Sequence, residues 1–431
     1  MPPKTNPAPL AYLTPDLPGV GGVLKQNPED FLVEEQPLYE PCGEGEHLYL
    51  YIEKKSATTH DLIRRVAKAF RVKRGSVGHA GLKDKHAVTR QHLSIHLPGT
   101  TKAQDAEALE RLASYPYAQV LWVDRHTNKL RPGHHGGNRF VLIVRDVSPT
   151  AVIHAKPILD RLASQGFPNY YGEQRFGYRQ NAHLLGAHLL HGKHQDFLDA
   201  MLGDPRHDES ENAHTARAAY ECGDLHTALE HMPKSLRYDR QALDALRQGK
   251  NPKNAVAGID ATQRDFLVSA TQSAVFNAAL DARVRAGTLA TLLSGDLAWK
   301  HDNRSVFSVD TQTAQIENAL DGRVASQDVS PSGPLWGHTM SRPEGQPLAA
   351  ELNALASQNL TEADFSPAPA PASRSKRRPL AVGQRRSFRE RLAHPELSGG
   401  VDDHGAYLKV AFTLSRGSFA TMVMREIMKP L

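Results

Sequence analysis

Along the first 150 residues, hydrophobic and polar positions alternate in runs of strand length. Val23 to Lys25, Phe31 to Glu34 and Leu48 to Ile52 read as strands. Leu93, Ile95 and Leu97 alternate with Ser94 and His96, the period of a half-buried strand, and Phe140 to Val144 is a continuous apolar run. Between them, His60 to Phe70 sets Leu62, Ile63, Val66, Ala69 and Phe70 on one helical stripe, with Arg64, Arg65 and Lys68 opposite. Thr58 and Asp61 are spaced as a capping pair at its start. A helix predicted from Ala151 to Ser164 stops at Gly166, with Pro168 just beyond, which marks a domain boundary.

From about Phe167 to Ala370 the pattern becomes mostly helical, clearest where Phe266, Ala270, Phe276, Leu280 and Val284 recur at three- and four-residue spacings. Ser366 to Ser373 is Pro/Ala-rich and reads as a semi-rigid spacer. Strand alternation then returns at Leu408, Val410, Phe412 and Leu414, Gly417 breaks it, and Ser418 is placed to cap a last helix carrying Phe419, Met422, Val423 and Ile427. Strands at both ends and helices between predict an insertion. Residues 1–165 and 379–431 would share one sheet, interrupted by a largely helical domain at 166–378 with its linker near 366–373. No repeat of fixed period occurs.

The chain's 431 residues suffice for two or three domains. No stretch reaches the eighteen or so apolar residues of a membrane span, and the first eighteen residues lack a signal-like apolar core, so a soluble protein that stays where it is made is expected. Cys42 and Cys222 are too few for a disulfide framework and fit a reducing cytoplasm. The net charge of +5 is unevenly spread. Residues 54–90 hold eleven Lys or Arg against Asp61 and Asp84, and residues 374–391 hold eight against Glu390, which leaves the remainder at −11. Two such segments on an otherwise acidic chain suit a polyanion, although charge runs by themselves are more often solvated helix faces.

The sharpest local feature is Gly81-Leu82-Lys83-Asp84-Lys85-His86-Ala87-Val88-Thr89-Arg90-Gln91, one carboxylate between two lysines just before a strand. The lysines stabilise the carboxylate's charge and attract phosphates, as a nucleophile or oxocarbenium stabiliser working on RNA requires. Taken alone, Lys-Asp-Lys in a turn is more often a solvated loop. Further motifs accompany it: Lys25 to Glu35 (KQNPEDFLVEE), Arg125 to Arg131 leading to Gly137-Asn138-Arg139-Phe140, Pro168 to Gly177 (PNYYGEQRFG), and Gly417-Ser418-Phe419-Ala420-Thr421 with Arg425-Glu426 behind.

These five motifs, in this order, resemble those of the TruD family of tRNA pseudouridine synthases. The resemblance is dense from about residue 20 to 180 and from 405 to 428, and thins to patches such as Asp265 to Leu280 in the middle. It implies an α+β fold, a mostly antiparallel catalytic sheet interrupted by a helical TRUD insertion domain, with RNA in a basic cleft between the two. It implies isomerisation of a uridine in tRNA, position 13 of the D arm by family expectation, by a monomer with no cofactor and no metal. By the same resemblance Asp84 is the essential aspartate, Lys25 the basic residue near it, and Phe31, Asn138 and Phe419 line the uridine pocket, with Phe140 stacked on the uracil. Lys83, Lys85, Arg125, Lys129, Arg131 and Arg175 are the basic residues of these motifs expected to meet RNA. The Pro168 to Gly177 segment suits a hinge lining the cleft more than catalysis.

The chemistry agrees with these residue types. Moving the sugar from N1 to C5 of uracil changes no oxidation state, one carboxylate suffices because no water enters, and an aromatic face retains the loosened base. Extruding the nucleotide costs a few kcal/mol that phosphate contacts must offset. Each residue also has a plainer reading: Phe31, Phe140 and Phe419 as core, Lys25 as a surface lysine, Asn138 as a turn residue after Gly136 and Gly137. His183, His188, His191 and His194 lack a ligand-spaced partner, and Gly19, Gly21 and Gly22 precede a strand instead of following one, which excludes a dinucleotide fingerprint. Three alternatives remain: a non-catalytic RNA-binding protein on the same scaffold, a synthase with broader RNA substrates, and a glycoside or nucleoside hydrolase using Glu34, Glu35 or Glu173 as a second acid.

Overall fold

A computed structural model describes residues 9–365 and 381–429; the spacer read at 366–373 and residues 374–380 of the second basic segment lie outside them. The chain divides into two compact units, Tyr12–Phe167 with Glu390–Leu431, and Met1–Ala11 with Pro168–Arg389.

The first unit is built on a nine-stranded sheet. Its strands are β1 (Val23–Leu24), β2 (Phe31–Pro37), β3 (His47–Lys55), β4 (Val77–His79), β5 (Val88–His96), β6 (Ala118–His126), β7 (His135–Arg145) and the hairpin Ala393–Asp402 with Gly405–Ser415. From the hairpin's outer strand the order is 393–402, 405–415, β7, β2, β5, β3, β6, with β1 beside β7 and β4 beside β5. Only β2 and β5 run parallel; the other described pairings in this sheet are antiparallel. Both ends of the chain thus contribute to one sheet, and its α+β, mostly antiparallel character agrees with the sequence reading.

Helix α1 (Thr59–Ala69) starts where the sequence pattern put it. The Thr58 side chain accepts the Asp61 backbone N–H, and Asp61 returns a contact to the Thr58 backbone, a reciprocal cap that satisfies two helix-start donors. Its apolar stripe, Leu62, Ile63, Val66, Ala67 and Phe70, packs with Leu48, Leu50, Ile52, Leu93 and Ile95 of the sheet and with Ala108 and Leu112 of α2 (Lys102–Ala113). A second core joins Phe31, Val33, Phe140, Leu142, Val144, Val410 and Phe412 to Ile158 and Leu162 of α3 (Ala151–Gln165) and to Val423 and Ile427 of the last helix, Ala420–Met428. Ser418 is not that helix's cap. Phe419 holds the extended N-cap position and no side chain caps it, because helical geometry begins one residue later than the pattern indicated.

The second unit carries the expected helices, the longest being Ala261–Arg285. It also carries a four-stranded antiparallel sheet, Val306–Ser308, Leu297–Lys300, Val329–Leu335 and Gln384–Ser387, that the sequence pattern did not show. Val329–Leu335 (VSPSGPL) is buried at every position and so lacks the alternation of a half-buried strand. Because Ser332 to Leu335 pair with Gln384 to Ser387, residues 384–387 fold with this unit, not with the C-terminal segment read from 379.

Within the described part of the second basic segment, that pairing removes Arg385, Arg386 and Arg389 from the expected polyanion footprint; Arg374, Lys376, Arg377 and Arg378 lie outside the described residues. Arg385 is buried in a bidentate pair with Glu351 (2.6 and 2.9 Å), Arg386 binds the Asn169 side-chain oxygen, and buried Arg389 donates to the carbonyls of Val324 and Val329. These guanidinium groups satisfy buried acceptors and are not offered to phosphates.

Candidate active site

The site lies at the N-terminal end of α1, where three stretches of the first unit meet. The first is the residue after β1. Lys25 has φ 62°, a left-handed conformation that costs a lysine of order 1 kcal/mol and aims its side chain back over β2. Its Nζ sits 2.9 Å from Asp84 Oδ2 and 4.0 Å above the centre of the Phe31 ring. Asp84 lies on the loop before β5 with about half of its side chain exposed, so it is paired and still open to solvent.

The loop carrying Asp84 is held from beneath. The Lys83 backbone N–H donates to Thr59 Oγ1 (2.9 Å), and Thr59 in turn donates to Gln91 Oε1 (3.1 Å). The fully buried Lys54, on β3, donates through Nζ to the carbonyls of Ala57 (2.7 Å) and Asp84 (2.8 Å). Burial pulls Lys54 down to about 8; the Asp84 charge opposes that shift and the Lys83 charge adds to it.

The third stretch is β7. Cross-strand register puts Glu35, Asn138 and Leu414 in one row, and Val33, Phe140 and Phe412 two rows on, on the same face. Asn138 is therefore a strand residue, not a turn residue. The preceding Gly137 is required by close approach, since a Cβ there would lie 2.2 Å from the Leu414 carbonyl oxygen. Lys83 reaches across to this row: its Nζ donates to Asn138 Oδ1 and lies 2.9 Å from Glu35 Oε2, with both charged side chains almost wholly buried. Burial pushes Glu35 up, but hydrogen bonds from His92 and the Lys83 charge outweigh it and leave the carboxyl at about 2.

Asp84, Lys25, Phe31 and Phe140 are thus linked by consecutive contacts, and Asn138 joins them through Lys83, the chain neighbour of Asp84, which removes the surface reading of Lys25. Phe140 is not placed to lie flat against a base. Its ring packs between Phe31 (edge to face, 6.3 Å) and Phe412 (5.8 Å), with 8% exposure, because its strand position faces the core. Phe31 is buried likewise, whereas Phe419, four residues beyond the Ser415 that pairs with Gly137, is 38% exposed.

The basic candidates divide. Lys85 and Arg131 are exposed, and Lys129 is partly exposed with its ammonium on the Gly75 carbonyl. Lys83 is not a phosphate ligand, being sealed against Glu35 and Asn138. Arg125 braces α2, with its guanidinium on Asp105 and Thr100. In the other unit, Arg175 is clamped to the helix Ala261–Arg285 through Ser269 and Ser273 and lies over the rings of Tyr171 and Phe266. A guanidinium or ammonium already committed to a protein acceptor contributes little to counterion release. Five cations absent from those candidates, Arg65, Lys68, Arg71, Lys73 and Arg74, stand exposed along α1 and the turn after it, whereas Arg64 is paired with Asp61. The sequence reading also missed Lys54, which looks like any surface lysine until β3 pairs with β5.

The fold around this site is shared with a solved protein. The fold matches the crystal structure of the putative tRNA pseudouridine synthase D (TruD) from Methanosarcina mazei, with a TM-score of 0.80 and 26% identity over 97% of this chain and 96% of that one. The family model of tRNA pseudouridine synthase D (TruD) matches residues 9–427, and the chain belongs to that family. Relatives named tRNA pseudouridine synthase D include those of Geobacter sulfurreducens, 42% identical over 97% of this chain and 96% of the relative, and of Syntrophotalea carbinolica, 36% identical over 97% and 98%.

Proposed function

We propose that this chain isomerises a uridine of tRNA to pseudouridine, with Asp84 as the catalytic carboxylate and position 13 of the D arm as the target. The observation that carries this reading is the contact chain from Asp84 through Lys25 to Phe31. It pairs one solvent-accessible acid with a cation beside an aromatic wall. An extruded nucleotide presents its sugar to that acid, which attacks or deprotonates the ribose as the N1–C1′ bond breaks. The uracil turns over, C5 bonds to C1′, and the hydrogen leaving C5 is balanced by one gained at N1, so no cofactor enters the balance. Phe419, at 38% exposure the most exposed of the three candidate pocket phenylalanines, is the ring assigned to meet the base, with Phe31 and Phe140 as the wall behind Lys25. The exposed cations of α1 supply sequence-independent phosphate contacts.

A hydrolase needs a protonated second acid at its working pH, and Glu35 does not suit that role. Glu35 is held ionised as described, and Glu34 is paired with Arg90 at 2.5 Å. The test is to incubate tRNA carrying labelled uracil with the wild-type protein and with Asp84→Asn. Pseudouridine from the wild type alone is expected, and equal product from both ends the role of Asp84. Binding without any product favours a non-catalytic RNA-binding protein, and release of free uracil favours a hydrolase. Replacing uridine 13 by cytidine should abolish product; persistence of product moves the target elsewhere.

A further inference from the structure

Resting on the reading of Asn138 as a residue of the uridine pocket, we propose that Lys83 and Glu35 are positioning residues that fix the Asn138 amide in the one orientation that recognises uracil and refuses cytosine. An asparagine amide has an acceptor end and a donor end, and inside a fold either end can point either way. Here the choice is forced. The Lys83 ammonium only donates, so the atom of Asn138 that meets it has to be the oxygen, and the NH2 group is directed away from Lys83.

Lys83 itself has little freedom to withdraw. Its ammonium is buried against Glu35 at 2.9 Å, and Glu35 is in turn held by the backbone N–H of His92 (3.0 Å) and sits across from Asn138 in the strand register. Removing Lys83 from Glu35 would strand two buried charges. The chain of constraint therefore runs from the β5 backbone through Glu35 and Lys83 to one amide. None of the described residues accepts a hydrogen bond from Asn138 Nδ2, and Oδ1 keeps a second lone pair after Lys83 has taken the first.

That pair of free functions matches one base. Uracil presents an N3–H donor beside a carbonyl acceptor, which complements Oδ1 and Nδ2 in the orientation fixed here. Cytosine presents an N3 acceptor beside an amino donor, and would require the amide turned over. With the amide locked, cytosine sets acceptor against acceptor and donor against donor. With the amide free to rotate by 180°, the side chain would serve both bases. The lock thus works against the wrong base as much as for the right one.

The test measures binding of full-length tRNA with uridine, cytidine or 3-methyluridine at the converted position, the last lacking the N3–H. Wild-type protein should bind the cytidine and 3-methyluridine forms more weakly than the uridine form, on the order of ten- to a hundredfold. Equal binding of all three by the wild type overturns the inference, and this arm needs no variant to fold. In Lys83→Met, whose folding is checked by its melting curve, the uridine preference over cytidine should collapse towards one while the penalty for losing a positive charge falls on both RNAs alike. Glu35→Gln should reduce the same ratio. A ratio unchanged in a folded Lys83→Met variant also overturns the inference. If the wild type converts no uridine at all, the proposed function fails with it; conversion with an unmoved ratio sinks only the amide lock.

Discussion

Replacing Lys54 by methionine removes a buried ammonium without emptying its space, and the structure fixes what should follow. Lys54 donates to the carbonyls of Ala57 and Asp84. Hydrogen bonds from a charged donor each contribute roughly 1.5–3 kcal/mol. Against them stands the cost of holding the charge out of water: a fall from 10.5 to about 8 corresponds to about 3 kcal/mol. The terms nearly offset, so Lys54→Met should lower stability by no more than about 3 kcal/mol. The effect on rate should be larger. The released bond anchors the backbone of the proposed catalytic residue itself, and a displacement of about 1 Å there costs roughly a hundredfold.

The pH dependence has opposite signs for the two quantities. Because the fold lowers the Lys54 value, the charge is present below about 8 and lost as pH rises through it, and the folded state is progressively relieved of a buried charge between about 8 and 10.5. Wild-type single-turnover pseudouridine formation should therefore fall above about pH 8 while the Lys54 contribution to stability rises, and Lys54→Met should lack both changes. The assay is single-turnover conversion of labelled tRNA with excess protein, alongside thermal melting of both proteins across the same pH range. A variant that folds and keeps its rate within about threefold of wild type would refute the anchoring argument.

Gly137→Ala should push β7 from the strand Gly405–Ser415, because the new Cβ meets the Leu414 carbonyl at 2.2 Å; a lowered melting temperature and lost conversion are expected, and an unperturbed melt counts against it. Glu35, brought from 4.5 to about 2 in the fold, contributes stability that is complete above pH 4.5 and lost as pH falls towards 2, about 3 kcal/mol in all. Acid titration of stability should show that loss in the wild type and not in Glu35→Gln. In the helical unit, Arg217 is fully buried against Glu209 (3.0 Å) and Asp239 (3.3 Å), so Arg217→Ala should cost roughly 3–5 kcal/mol, read by urea denaturation, because Asp239 loses its ion-pair partner and Glu209 keeps only Arg179 of its two arginines.

Periodicity was sufficient for the elements that present one face to a core. Residues 59–69 show their apolar stripe and both halves of their cap in the sequence itself, and Leu408 to Leu414 show the alternation of a strand with one wet side. Both periods are set by local backbone geometry, about 3.6 residues per helical turn and two per strand repeat. The lone acid between two lysines was visible because it too is local, as were the motifs around it. The strand Val329–Leu335 was not, since burial on both faces erases alternation.

What tertiary structure decided is the part each charged residue plays. Lys83 and Lys85 read alike in sequence, yet one is buried between Glu35 and Asn138 and the other is exposed. Lys54 and Lys55 are neighbours, yet alternation along β3 sends one beneath Asp84 and the other outwards to Glu29. Phe140 and Phe419 are both motif aromatics, and only strand register shows that the first fills the core. Burial and partner choice depend on residues brought together across 30 to 60 positions of chain by β2, β3, β5 and β7. The free energy of a charge follows its surroundings far more than its type, so the residues for this chemistry could be read from the sequence, and their division of labour only from the fold.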